Sequence, residues 1–114
     1  MQNEEQTQMK IYNKLVRDNI PQIINASGQK CDIEILEDDQ YILMLNEKLF
    51  EEIDEYKEAA GEEIVGELAD VVEIIFAIAE HHGISINTLN KVREEKSNER
   101  GGFKDKIFLE KVYE

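Results

Sequence analysis

Residues 49–75, LFEEIDEYKEAAGEEIVGELADVVEII, decide how the rest of the chain is read. They carry a Glu-x-x-Glu pair, Glu52 and Glu55, and a Glu-x-x-Asp pair, Glu67 and Asp70, on either side of Ala59-Ala60-Gly61. Both flanks have helical periodicity, so acids three apart lie on one side of their helix about a turn apart. With Gly61 as the hinge of an antiparallel hairpin, Glu55 and Glu67 stand six residues away on each side and are level. Glu52 and Asp70 stand nine away and are level too. Four carboxylates then converge from facing helices, a concentration of negative charge that a cation would make tolerable.

Rotation about the helix axis sharpens this. Leu45, Leu49, Ile53, Tyr56 and Ala60 form the apolar stripe of the first segment, with Glu52 about 60° and Glu55 about 120° from its centre. Glu51, Asp54 and Glu58 point further out. On the second segment Ile64, Val71, Ile75 and Ile78 face inward, Glu67 lies at the edge of the stripe and Asp70 beside it. A single Glu-x-x-Glu on an acidic protein is usually a solvated face. Two such pairs mirrored about one turn, both touching the core edge, point instead to a metal site.

Composition narrows the setting. The 114 residues suffice for one domain, taken as residues 10–114 after a flexible polar segment 1–9. Thirteen basic against 26 acidic residues give a net charge of −13, which repels nucleic acid and anionic membrane. A phosphorylated small molecule can still bind where divalent ions and a few basic groups reverse the local sign. A lone Cys31 excludes an intrachain disulfide and suits a reducing cytoplasm. The apolar run at 71–79 is broken by Glu73, so no membrane span is expected.

In chain order, Lys10, Lys14 and Arg17 form a small basic cluster, read either as local charge balance or as a phosphate contact. Asp18 is a plausible N-cap for a short helix with Pro21 in its first turn, Ile20, Ile23 and Ile24 on its buried side, and Gly28 at its end. Lys30–Leu36 alternates like a half-buried strand, and the tail residues Ile107, Leu109 and Val112 are its candidate partner. Asp38 and Asp39 cap a long helix at 40–60. A second helix at 62–81 is apolar over about 220° of its surface, a face that homo-oligomerisation would cover. His81 and His82 suit its C-terminal end. Ser85 caps a third helix to about residue 98, with Lys96 on the core-facing side and in need of a partner. The fold expected is mainly α, an antiparallel helical bundle with at most a small two-stranded β element.

EEIDEY followed by ELADVVEII resembles the signature of the MazG-like all-α nucleoside triphosphate pyrophosphohydrolases, relatives of the dimeric dUTPases and of phosphoribosyl-ATP pyrophosphohydrolase. YNKLVRDNIP and ERGGF resemble the phosphoribosyl-ATP pyrophosphohydrolase-like subgroup, so the resemblance spans about residues 10–112. It implies Mg²⁺-dependent hydrolysis of a nucleotide between its α- and β-phosphates, with Mn²⁺ as a possible substitute. Glu52, Glu55, Glu67 and Asp70 would hold the metal, with Glu52 or Glu55 taking the proton of the attacking water. Lys14, Arg17, Lys96 and Arg100 would bind phosphate. A homodimer or homotetramer clearing unwanted nucleotides is the implied setting. The alternatives are phosphoribosyl-ATP hydrolysis in histidine synthesis and a noncatalytic helical oligomerisation module.

Overall fold

The computed structural model describes residues 9–113, so the segment expected to fray lies outside the described residues except for Met9. Four helices follow in order: α1 Ile20–Ala26, α2 Asp38–Glu58, α3 Glu63–His81 and α4 Ile86–Arg100. The fold is mainly α, as the periodicity requires. The chain divides into two compact units, Met1–Ile78 and Ala79–Glu114.

The first unit is built on the α2–α3 hairpin. Asp38 and Asp39 occupy the first turn of α2, where negative charge suits the positive end of the helix dipole, rather than preceding it as caps. Lys57 sits in the last turn with the complementary sign. Ala59 then turns extended, and Gly61 adopts φ +59°, a conformation that residues with a Cβ avoid. The amides of Glu63 and Ile64 donate to the carbonyls of Ala60 and Gly61 at 3.2 and 3.3 Å, so α3 starts at once. The hinge at Gly61 is therefore where the sequence put it.

Leu45 is the most buried apolar side chain described, at 2% exposure. Leu49 is half-buried one turn on, and Glu52 lies two turns from Leu45 on the same side of α2. On α3, Val71, Ile74 and Ile78 are half-buried. Much apolar surface stays open: Leu43, Phe50, Val65, Leu68, Val72 and Ile75 are all exposed. The α1 helix starts one residue later than an Asp18 cap would place it. Asn19 is its N-cap without a side-chain bond, and Pro21 sits in its first turn. Ile20 and Ile24 are half-buried while Ile23 is exposed.

The second unit opens with the end of α3. Gly83, at φ +75°, closes it, with the Ile84 amide donating back to the Ala79 carbonyl at 2.8 Å. Ser85 caps α4 as expected, its Oγ accepting from the Thr88 amide at 3.1 Å. The two-stranded β element is not formed among the described residues. Ile33, Ile35, Ile107, Leu109 and Val112 are all exposed, so neither segment has a buried face to fix a register. Alternation supplies a face but not the partner that a strand pair needs. No helix among the described residues is long and apolar enough to cross a membrane.

Leu45→Ala is expected to lower the unfolding free energy by about 2–4 kcal/mol through lost burial and a residual cavity. Urea unfolding checks this as a lowered midpoint at unchanged slope. A midpoint equal to the wild type would mean that Leu45 does not anchor the hairpin.

Candidate metal centre

Helix α2 brings Glu51, Glu52 and Glu55 together, one oxygen of each within 4.8 Å of the others. Glu52 is only 7% exposed, and its Oε2 is buried without a hydrogen-bond partner. Burial pushes its carboxyl up to about 7; the neighbouring Glu55 carboxylate adds a proton-sharing contact and a like charge, Lys48 pulls the other way, and Asp70 adds a smaller like charge. Glu67 on α3 is also raised, by desolvation first and then by the charges of Glu55, Asp70 and Glu63. Glu52 thus feels Asp70, and Glu67 feels Glu55, which is the level pairing an antiparallel hairpin about Gly61 dictates.

Cations of the chain itself approach from the segment before α1. Arg17 donates from its guanidinium to Asp70 Oδ1 at 2.7 Å across 53 positions of sequence. Lys14 reaches Glu51 Oε1 at 3.2 Å, and Lys48 reaches the same oxygen at 3.3 Å. The Lys14 contact, helped by Lys48, holds the Glu51 carboxyl below its ordinary range. An open groove of about 510 Å³ runs past this corner, lined by Lys14 and by Glu51, Asp54, Glu55, Glu58, Glu63 and Glu67.

The donor set fits a hard divalent cation. Carboxylate oxygens are the ligands Mg²⁺ takes, and a buried carboxylate with no donor and several like charges nearby lacks only positive charge. Of the residues singled out from sequence, Glu52, Glu55, Glu67 and Asp70 fall within one electrostatic cluster, and Lys14 and Arg17 touch its edge. Lys96 and Arg100 lie on α4 in the second unit and are both exposed. Lys96 was expected to face the core and need a partner; α4 carries no buried residue, so its ammonium stays in water and needs none. Glu51 and Lys48 were not singled out. The Lys48–Glu51 spacing of three was a legible signal for their pairing, whereas Lys14 joins them only through the fold.

No family model matches the chain, and no solved structure matches it. A protein of Mycolicibacterium smegmatis described as uncharacterized is 48% identical over 46 residues, covering 40% of this chain. The match takes in 47% of that relative, so the chain spans about half the length of the curated relative it matches.

The shift at Glu52 sets a pH dependence. Its folded-state value, about 7, lies above the ordinary 4.5, so the folded chain binds the proton more tightly than the unfolded chain does. The stability from that proton is fully present below about 4.5 and is lost as pH rises through about 7. Glu67, shifted the same way, adds to the trend. In EDTA, Glu52→Gln is therefore expected to be more stable than the wild type at about pH 8, by about 1–3 kcal/mol, and to converge with it below about pH 4.5. Thermal unfolding of both proteins across that range is the check, and parallel curves would mean that Glu52 is not strained by its charge.

Proposed function

We propose that this protein is a nucleotide pyrophosphohydrolase that uses Mg²⁺ to split a nucleoside triphosphate into a nucleoside monophosphate and pyrophosphate. The observation that carries the reading is the buried Glu52 carboxylate, without a donor on Oε2 and facing Glu55 within the field of Asp70. A chain selected only for helical assembly gains nothing from such a group, whose deprotonation opposes folding. The resemblance of residues 49–75 to the MazG-like signature selects the reaction class from those that a carboxylate-bound cation serves.

Glu52, Glu55, Glu67 and Asp70 would hold the ion, and Mn²⁺ is expected to substitute. When bound, it would supply charge neutralisation for the phosphates and acidify a water for attack on phosphorus. The chain's own part is to orient and to move protons. Glu52 Oε2, unengaged by any donor, and the neighbouring Glu55 are the groups able to take the proton of the attacking water. Arg17 fixes the orientation of Asp70. Lys14 offers an ammonium in the groove. Lys96 and Arg100 are assigned to the outer phosphates on the sequence resemblance alone.

The exposed apolar side chains of α2 and α3 support assembly into a homodimer or homotetramer. The lone Cys31 and the acidic surface support a cytoplasmic protein acting on small nucleotides rather than on nucleic acid. Nucleotide-pool cleaning is the proposed role, with phosphoribosyl-ATP the competing substrate.

Pyrophosphate release from a panel of NTPs, dNTPs and phosphoribosyl-ATP is expected with Mg²⁺ and not with EDTA. Glu55→Gln and Asp70→Asn are each expected to lose on the order of 100-fold or more in turnover, the scale of a removed catalytic or metal-binding group, with helix content by circular dichroism unchanged. Full turnover in either variant would overturn the metal assignment. Turnover of phosphoribosyl-ATP alone would move the enzyme to that substrate.

A further inference from the structure

Three neighbouring carboxylates on α2 are not equivalent. Glu52 Oε2 has no donor, whereas Glu51 Oε1 is shared by two ammonium groups, Lys14 at 3.2 Å and Lys48 at 3.3 Å. From this we infer that Glu51 is a positioning residue that holds Lys14 in the groove, and is not a ligand of the cation. This role rests on the pyrophosphohydrolase reading and assigns one side chain within it.

The contacts give each partner a distinct part. Lys48 sits three residues before Glu51 on the same helix, and its side chain is only 19% exposed. It is the fixed cation, its side chain largely out of solvent and its head on the Glu51 carboxylate. Lys14 comes from irregular chain before α1, next to Asn13 at φ +46°. Nothing helical restrains it, and among the described residues Glu51 is its ion-pair partner. A carboxylate bridging two ammonium groups has its charge already met and offers a divalent cation less than the unpartnered Glu52 does.

Lys14 also lies where two concavities meet. It lines a small cavity of about 170 Å³ with Tyr12, Met44, Lys48 and Glu51, and among the described residues it is the one basic side chain lining the larger acidic groove. An ammonium in an otherwise anionic groove has no purpose toward a bare cation, which it repels. Toward the outer phosphates of a metal-bound triphosphate it supplies the missing charge. Glu51 then acts through Lys14: it orients the ammonium while the Lys48 contact keeps the carboxylate itself in place.

The test is calorimetry of the full chain, first with Mg²⁺ alone and then with inorganic triphosphate at saturating Mg²⁺, on the wild type, Glu51→Gln, Glu52→Gln, Lys14→Met and the Glu51→Gln/Lys14→Met double variant. Circular dichroism establishes that each variant is folded. Glu51→Gln is expected to bind Mg²⁺ within about twofold of the wild type, while Glu52→Gln weakens it by about tenfold or more, because only Glu52 brings an unneutralised charge. For triphosphate, Glu51→Gln and Lys14→Met are each expected to weaken binding by about three- to tenfold, and the double variant by no more than Lys14→Met alone. That non-additivity is a signature a merely structural Glu51 would not give. Equal Mg²⁺ losses in Glu51→Gln and Glu52→Gln would make Glu51 a ligand and overturn the inference, and so would additive losses in the double variant. A wild type that binds no Mg²⁺ would overturn the pyrophosphohydrolase reading, and this role with it.

Discussion

The constraint on which this molecule turns is the placing of Glu52 on the buried side of α2. Seven residues after Leu45, it falls two helical turns along the same face, so the packing that buries Leu45 carries a carboxylate in with it. The neighbours make matters worse rather than better. Glu55 faces it, Asp70 adds its field from α3, and the ammonium that opposes them, on Lys48, is engaged with Glu51. A folded chain tolerates this by holding a proton on Glu52 or by recruiting positive charge. The fold around it can be read as the means of bringing such charge in.

Three sources of positive charge are visible at that corner, and they are spent differently. Arg17 goes to Asp70 and Lys14 to Glu51, both from the segment before α1, which ties that segment to α3 and to α2 respectively. Lys48 reinforces Glu51. None donates to Glu52 Oε2. The exposed pairs contribute little to stability individually, since solvent screens them. Their effect is geometric: they neutralise the edge of the cluster and leave its centre negative. That division of labour is the observation on which the proposed cation-binding centre rests.

The apolar surface left open by the first unit belongs to the same account. Phe50 on α2 and Val65, Leu68 and Val72 on α3 are exposed, while among the described residues fully buried apolar side chains are few. A hairpin with so small an interior gains from covering such faces with another copy, as the proposed assembly would. The electrostatic cost at Glu52 would then be borne by an assembly larger than the isolated hairpin.

The sequence by itself determined the helices, the hinge and the levels at which Glu52, Glu55, Glu67 and Asp70 stand, but not that Glu51 joins Glu52 and Glu55 on α2. These depend on local periodicity and on one positive-φ glycine, both readable from spacing: Gly61 turns the chain, and the levels of Glu52 with Asp70 and of Glu55 with Glu67 follow by counting. The tertiary structure decided what counting cannot reach. Alternation in Lys30–Leu36 and in the tail suggested strands, but pairing is non-local and neither segment found a buried face. Lys96 looked inward on a helical wheel, yet a wheel does not say whether a helix has anything to pack against. The partners of Arg17 and Lys14 likewise came from the fold alone, because an ion pair between residues far apart in sequence depends on where the backbone carries them. The rule that separates the two is range: local backbone preferences fixed the framework, and long-range contacts chose which charges meet.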